Sequence, residues 1–212
     1  GKAYEPFRAD GEARNNLNMQ VPLSRMEDRK GLLLGFDRIN RQIDASGIMA
    51  GMDAFEQQAF DMITGQTAKR AFDLEQEDKR VRDRYGSSFL GQKLLLARRL
   101  CQAGVGFVTI RYEGWDMHGG IKSELRTRCP LLDRTVATFL EDCYEQGLTD
   151  QILLVITGEF GRTPRINRGA GRDHWPQLSP LVFAGGSLKM GQVIGKSSSK
   201  AEEPIESKVG PQ

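Results

Sequence analysis

The feature that most limits how this chain can fold is the unbroken apolar run from Ile152 to Ile156, which stops at Thr157-Gly158-Glu159. A run of that length without a polar break predicts a strand buried on both faces. A carboxylate just past its carboxyl end stands where open α/β sheets bind ligands. The loop that follows is rich in glycine and arginine, carries Arg162, Arg165, Arg168 and Arg172, and closes on Asp173-His174-Trp175. Upstream, Phe107-Val108-Thr109-Ile110 predicts a second short strand, and between the two lies a helix with Leu132, Val136, Phe139, Leu140 and Cys143 on one side, ended by Gly147. Strand, helix and strand over residues 107 to 156 make a βαβ unit, so the two strands are expected to run parallel with their carboxyl ends on one edge. That edge would bring the Asp116/His118 loop beside Glu159. A further strand, Leu181 to Ala184, follows His174 without room for a helix, and an antiparallel course is expected for it.

Residues 1–23 are polar and marked by Gly11, Asn15, Asn16 and Asn18, and predict an extended arm or loop. Ser24 with Glu27 three residues on forms a capping-box pattern ahead of Leu33, Leu34, Phe36, Ile39 and Ile43, and a second helix is expected from Asp53 to Gly65. The mixed acids and bases of residues 73–84 predict a solvated connection. After Tyr85-Gly86, the serines 87 and 88 cap an apolar helix through Leu90, Leu94, Leu95, Ala97 and Leu100 that stops at Ala103-Gly104. Residues 24–195 are expected to form one α/β domain, and residues 196–212, low in apolar content, a flexible tail.

With 212 residues the chain is long enough for a real core, and a formal charge of +2 gives no global argument for nucleic acid or an acidic membrane. No apolar stretch reaches the roughly 20 residues needed to cross a bilayer. The cysteines at 101, 129 and 143 are odd in number and form no C-x-x-C pair, which speaks against a disulfide framework or a zinc knuckle. The glycine pairs lack the lysine-serine pattern of a phosphate-cradling loop, and no G-x-S-x-G elbow marks a serine hydrolase.

Both histidines of the chain lie in glycine-rich loops beside an aspartate and a tryptophan, as Trp115-Asp116-Met117-His118 and Asp173-His174-Trp175. Imidazole nitrogen and carboxylate oxygen are the ligands of catalytic metals, while a neighbouring acid can orient an imidazole from behind. The plainer alternative is that each pair merely ties its own loop by hydrogen bonds. The four arginines read either as a clamp for sulfate, phosphate or carboxylate or as a solvent-facing basic loop neutralised by Glu159 and Asp173. Trp115 and Trp175 either wall a pocket or pack the loops.

The words Gly158-Glu159-Phe160-Gly161-Arg162-Thr163-Pro164, Gly171-Arg172-Asp173-His174-Trp175, Trp115-Asp116-Met117-His118 and Ala184-Gly185-Gly186, with Tyr85-Gly86 and the segment Leu95 to Leu100, carry a resemblance. Over about residues 4 to 195 the chain resembles a family of uncharacterised, sulfatase-related bacterial proteins, distant relatives of the alkaline phosphatase superfamily. The resemblance implies a three-layer αβα sandwich with a mostly parallel sheet, here incomplete, and a metal-dependent hydrolase of sulfuric or phosphoric esters. It also implies an exported protein, periplasmic or extracellular. By the same resemblance Glu159 and His174 fall at ligand positions, with Asp116 and His118 like the ligands that come before them. Two departures stand out: Phe160 replaces a ligand histidine, and Cys129-Pro130-Leu131-Leu132 does not match the sulfatase nucleophile motif. The nucleophile is expected outside this sequence, which then reads as the carboxyl-terminal part of a longer chain.

Taken together, the expectation is a hydrolase-like fragment acting on a small or polymeric sulfated or phosphorylated substrate. Asp116, His118, Glu159, Asp173 and His174 would hold a divalent metal (zinc, calcium or magnesium), and Arg162, Arg165, Arg168 and Arg172 would bind the anion. The alternative is a noncatalytic anion-binding or structural protein that keeps the hydrolase fold.

Overall fold

Short polar caps set the helices. Asp78 accepts a bond from the Arg80 amide at 2.7 Å and opens α1, Lys79–Tyr85, which ends at Gly86 in a positive-φ conformation. Ser88 accepts from the Gly91 amide at 3.1 Å and opens α2, Phe89–Gln102. Gly104, at φ 95°, follows its end. The third helix, α3, is Ile121–Glu145; it starts after Gly120 and stops before Gly147, both at positive φ. Pro130 lies inside it and removes one backbone donor. The expected caps and stops of α2 and the expected end of α3 are thus present.

The computed structural model describes residue 22, residues 24–29, residue 31 and residues 70–206. The chain divides into two compact units, residues 1–73 and 74–212. In the first unit, residues 24–29 are helical, with the Arg25 and Met26 amides bonded to the Pro22 carbonyl. Gly31 is helical as well; the remainder of the helix expected through Ile43, and the one expected from Asp53, lie outside the described residues.

In the second unit α2 and α3 pack together and enclose the core. Leu90, Leu94 and Leu95 of α2 meet Phe139 and Cys143 of α3, with Tyr85 and Leu148 closing the ends. Burying one such leucine side chain contributes about 2 to 3 kcal/mol. Through this core runs a polar network. Asp142 accepts from Tyr85 Oη at 2.8 Å and from Arg98 Nε at 2.9 Å, and Arg98 also reaches Glu77 at 2.6 Å. Arg98 and Asp142 are almost fully buried, and desolvation is offset because each charge has its partner. Glu77 also accepts from Arg99 at 2.9 Å. Residues 73–84 are therefore more than the solvated connection expected: a 3-10 turn, Leu74–Gln76, leads to Glu77, which is drawn inward by two arginines.

The strands are short and all antiparallel: β1, Leu153–Thr157; β2, Gly161–Arg162; β3, His174–Trp175; β4, Leu181–Gly185; β5, Lys196–Ser197; β6, Pro204–Glu206. They pair as β1 with β4, β2 with β3 and β5 with β6 in three separate two-stranded sheets. The antiparallel course of residues 181–184 is as expected, with Val155 opposite Phe183.

The αβα sandwich with a mostly parallel sheet is overturned. Among the described residues there is no parallel pair and no sheet of more than two strands. The βαβ unit fails at its first strand: Phe107 to Ile110 join no ladder, Phe107 is 86% exposed, and only Ile110 and Tyr112 turn onto the core. Nor is β1 buried on both faces. Leu154 packs on the core while Leu153 and Val155, at 45% and 46%, face outward. An apolar run favours a strand, but whether it joins a ladder, and with which partner, is set elsewhere in the chain.

No described helix is long and apolar enough to cross a membrane.

Candidate metal centre

Two loops meet at the centre. Residues 115–120 arrive ahead of α3, with the Met117 amide bonded to the Trp115 carbonyl and the His118 amide to the Asp116 carbonyl. The loop between β2 and β3 lies against them: Gly120 N and Ile121 N donate to the carbonyls of Gly169 and Ala170 at 3.0 and 2.9 Å, and Arg172 N donates to Met117 O at 3.1 Å. Such contact needs a bare backbone at Gly171, where a Cβ would collide with the His118 carbonyl group. On β2 and β3, Arg162 and His174 are direct cross-strand partners, so their side chains leave the ladder on the same face.

The result is a small triangle of ligand atoms. Asp116 Oδ1 is 3.0 Å from His118 Nε2 and 2.9 Å from His174 Nε2, and the two imidazole nitrogens are 3.1 Å apart. All are solvent-accessible, with side chains 47% to 66% exposed. Atoms this close can converge on a single cation at bond lengths of about 2.0 to 2.2 Å. Asp116, His118 and His174 thus form a possible metal-binding triad.

Neighbours tune each ligand. The Arg162 guanidinium forms a short ion pair with Asp116 and lies 3.4 Å from His118 Nε2. Bonds from Arg162 and then His174 hold the Asp116 carboxyl well below the usual carboxylate range. Behind His118, Asp173 Oδ1 is 2.9 Å from Nδ1. That contact, and a second from Asn167, lower the Asp173 carboxyl as well. An ionised carboxylate only accepts, so each ring nitrogen of His118 faces an acceptor, Asp173 at Nδ1 and Asp116 at Nε2, and a proton held at Nδ1 would leave the Nε2 lone pair for the triangle. The Phe160 ring lies against His174 with centroids 4.4 Å apart and backs the centre on that side.

Of the residues singled out in the sequence, Asp116, His118 and His174 supply the three ligand atoms and Asp173 touches the far nitrogen of His118. Glu159 is exposed and stands outside the triad. The four arginines have different surroundings. Arg162 is at the triangle; Arg172 donates to Thr163 O at 2.6 Å; Arg165 and Arg168 are exposed, Arg165 being 3.8 Å from Glu202. The tryptophans tie loops: Trp175 Nε1 donates to Glu202 O at 2.7 Å, and Trp115 packs edge-on against Tyr112. Asn167 was not singled out, yet its side chain bonds His118 O, Asp173 Oδ1, Gly169 N and Gly171 N. The readable signal was an asparagine two residues before Gly-x-Gly, the pattern of an Asx turn.

A family model described as a protein of unknown function, DUF1501, matches residues 1–212. Neither a curated protein nor a solved structure matches the chain. Nothing in this match or in the small antiparallel sheets ties the chain to sulfatases or to the alkaline phosphatase superfamily, which overturns the kinship expected from the sequence words. By a match over its whole length, the chain belongs to the DUF1501 family.

Proposed function

We propose that this protein is a metal-dependent hydrolase of phosphate or sulfate esters, with Asp116, His118 and His174 as the ligands of a divalent cation. The observation that carries the reading is the approach of Asp116 Oδ1, His118 Nε2 and His174 Nε2 to within 3.1 Å of one another. The donor set of two imidazoles and one carboxylate suits first-row divalent metals. When bound, a divalent ion supplies Lewis acidity toward an ester oxygen and toward water. Asp116 contributes the negative charge and the two imidazoles neutral donors. Arg162, already beside the ligand atoms, exchanges its bond to Asp116 for an oxygen of the anionic ester and opposes charge that builds there. Phe160 keeps one side of His174 dry.

The test is titration of metal-free protein with zinc, manganese, magnesium and calcium by calorimetry, followed by turnover of 4-nitrophenyl phosphate and 4-nitrophenyl sulfate with the metal that binds. Binding that His174→Ala weakens at least tenfold, with turnover lost in the same variant, is the expected result. Failure of every cation to bind sinks the reading.

A second reading, a noncatalytic anion-binding protein, is favoured by one feature: Arg162 already neutralises Asp116. Binding of sulfate or phosphate without metal, and no turnover with it, would decide for that reading.

A further inference from the structure

We infer that Asp173 and Asn167 are positioning residues that hold His118 in the tautomer and ring orientation a metal ligand requires. The inference deepens the metal-centre reading and rests on it for its functional meaning. Asp173 Oδ1 meets His118 Nδ1 at 2.9 Å and accepts from Asn167 Nδ2 at 3.0 Å. The same Asn167 amide nitrogen donates to the backbone carbonyl of His118 at 3.0 Å. Its oxygen accepts from the amides of Gly169 and Gly171 at 3.0 and 2.9 Å. One side chain therefore grips both the backbone of the histidine and the acid behind its ring, using both donors and both lone pairs of the amide.

The energetic logic follows from what His118 would do without this grip. A neutral imidazole divides its proton between two nitrogens, and its ring can turn over about the Cβ to Cγ bond. Only one of those arrangements points an unprotonated Nε2 at Asp116 and His174. Asp173 selects that arrangement by accepting at Nδ1 in competition with Asp116, which lies 3.0 Å from Nε2 but is already paired with Arg162, and the negative charge behind the ring raises the donor strength of Nε2. Asn167 keeps Asp173 from rotating away, because the asparagine is itself anchored to the backbone of the Gly169–Gly171 segment. That segment is in turn held to the His118 loop by the Gly119 to Ala170 bridge and by the Arg172 amide on Met117 O. Asp173 is thus placed behind the ring, leaving Asp116 as the carboxylate on the ligand side.

The experiment compares wild-type protein with Asp173→Ala, Asp173→Asn and Asn167→Ala, checked for folding by circular dichroism. It reads two quantities: the imidazole nitrogen-15 shifts of the metal-free protein and the affinity for the divalent metal. The chain has two histidines, so His174→Ala assigns the His118 signals. Wild type should show His118 protonated at Nδ1. Asp173→Ala should give a mixture of tautomers and a metal affinity lower by about 10- to 100-fold. Asp173→Asn, which retains an acceptor oxygen without the charge, should fall between. Should Asn167→Ala not fold, the two Asp173 variants carry the test. An unchanged His118 tautomer in Asp173→Ala overturns the inference, as does an unchanged metal affinity. Should wild type bind no metal, the hydrolase reading falls while the nitrogen shifts still decide whether Asp173 sets the tautomer.

Discussion

Replacing Asp142 with alanine tests whether the core of residues 74–212 depends on its buried charges. Asp142 accepts from Tyr85, Arg98 and Gln146, at 2.8, 2.9 and 2.7 Å, and is 1% exposed, so its loss strands the two buried donors, Tyr85 and Arg98, while exposed Gln146 turns to water. Breaking a buried ion pair by removing one partner costs about 3 to 5 kcal/mol. Arg98 keeps Glu77 at 2.6 Å and Gln102 at 2.8 Å, which compensates part of its charge and places the expected loss near the lower figure, about 3 kcal/mol. In a folding unit of this size that lowers Tm by about 6 to 12 °C. Tyr85→Phe removes a single neutral donor and leaves Asp142 paired, so it should cost only about 1 kcal/mol. Urea unfolding followed by circular dichroism measures both. The double variant Arg98→Met, Asp142→Leu should recover part of the loss, since an apolar pair of similar volume needs no partner and Glu77 keeps Arg99, while the buried Tyr85 hydroxyl loses its acceptor. Equal costs for Asp142→Ala and Tyr85→Phe, or simple additivity of Arg98→Met with Asp142→Leu, would refute the view that the charges are mutually required.

Other outcomes can be checked more briefly. Arg162→Ala removes the cation that competes at Asp116 and should tighten metal binding while raising KM for an anionic ester about tenfold, the loss of one charge-assisted bond of about 1.4 kcal/mol; calorimetry and steady-state kinetics read the two. Gly171→Ala should disrupt the centre, because the new methyl group collides with the His118 carbonyl, and metal titration should show it even where circular dichroism remains normal. Burial pushes the Cys143 thiol up to about 11, so a thiol reagent at pH 8 should label exposed Cys129 first and Cys143 only on unfolding; mass spectrometry of the labelled peptides reports the order. The Asp116 carboxyl should titrate below its unfolded value of about 3.9. Its contribution to stability is then fully present above that value and is lost as the pH falls through the lower folded one, which carbon-13 shifts of the carboxyl would follow.

What the sequence revealed about the fold was local. Ser88, Gly104 and Gly147 punctuate their helices because caps and positive-φ stops act within a few residues, and Leu90, Leu94 and Phe139 carry the apolar spacing that builds the core. The sheet was not legible, since partner choice is a long-range property. Phe107 to Ile110 has strand-forming residues and no ladder, while β1 is joined by β4 nearly thirty residues later. Glu77 looked solvated because the arginines that draw it inward, Arg98 and Arg99, lie on α2, distant from it in sequence. At the centre, the two Asp-His words indicated which residues could meet. Their division of labour was hidden: Asp116 and Asp173 are both one or two residues from a histidine, and only coordinates separate the acid on the ligand side from the acid behind the ring.

The two-residue ladder between β2 and β3 has a further consequence. A strand that slips by one residue turns all its side chains to the opposite face. Arg162 and His174 share a face only in the register that sets Gly161 against Trp175, so the ladder acts as a gauge for the intervening loop. Its residues can be exchanged wherever the backbone bonds survive, but its length is rationed. Gaining or losing a single residue between 163 and 173 would disengage the imidazole from the carboxylate even if every side chain of the triangle were kept.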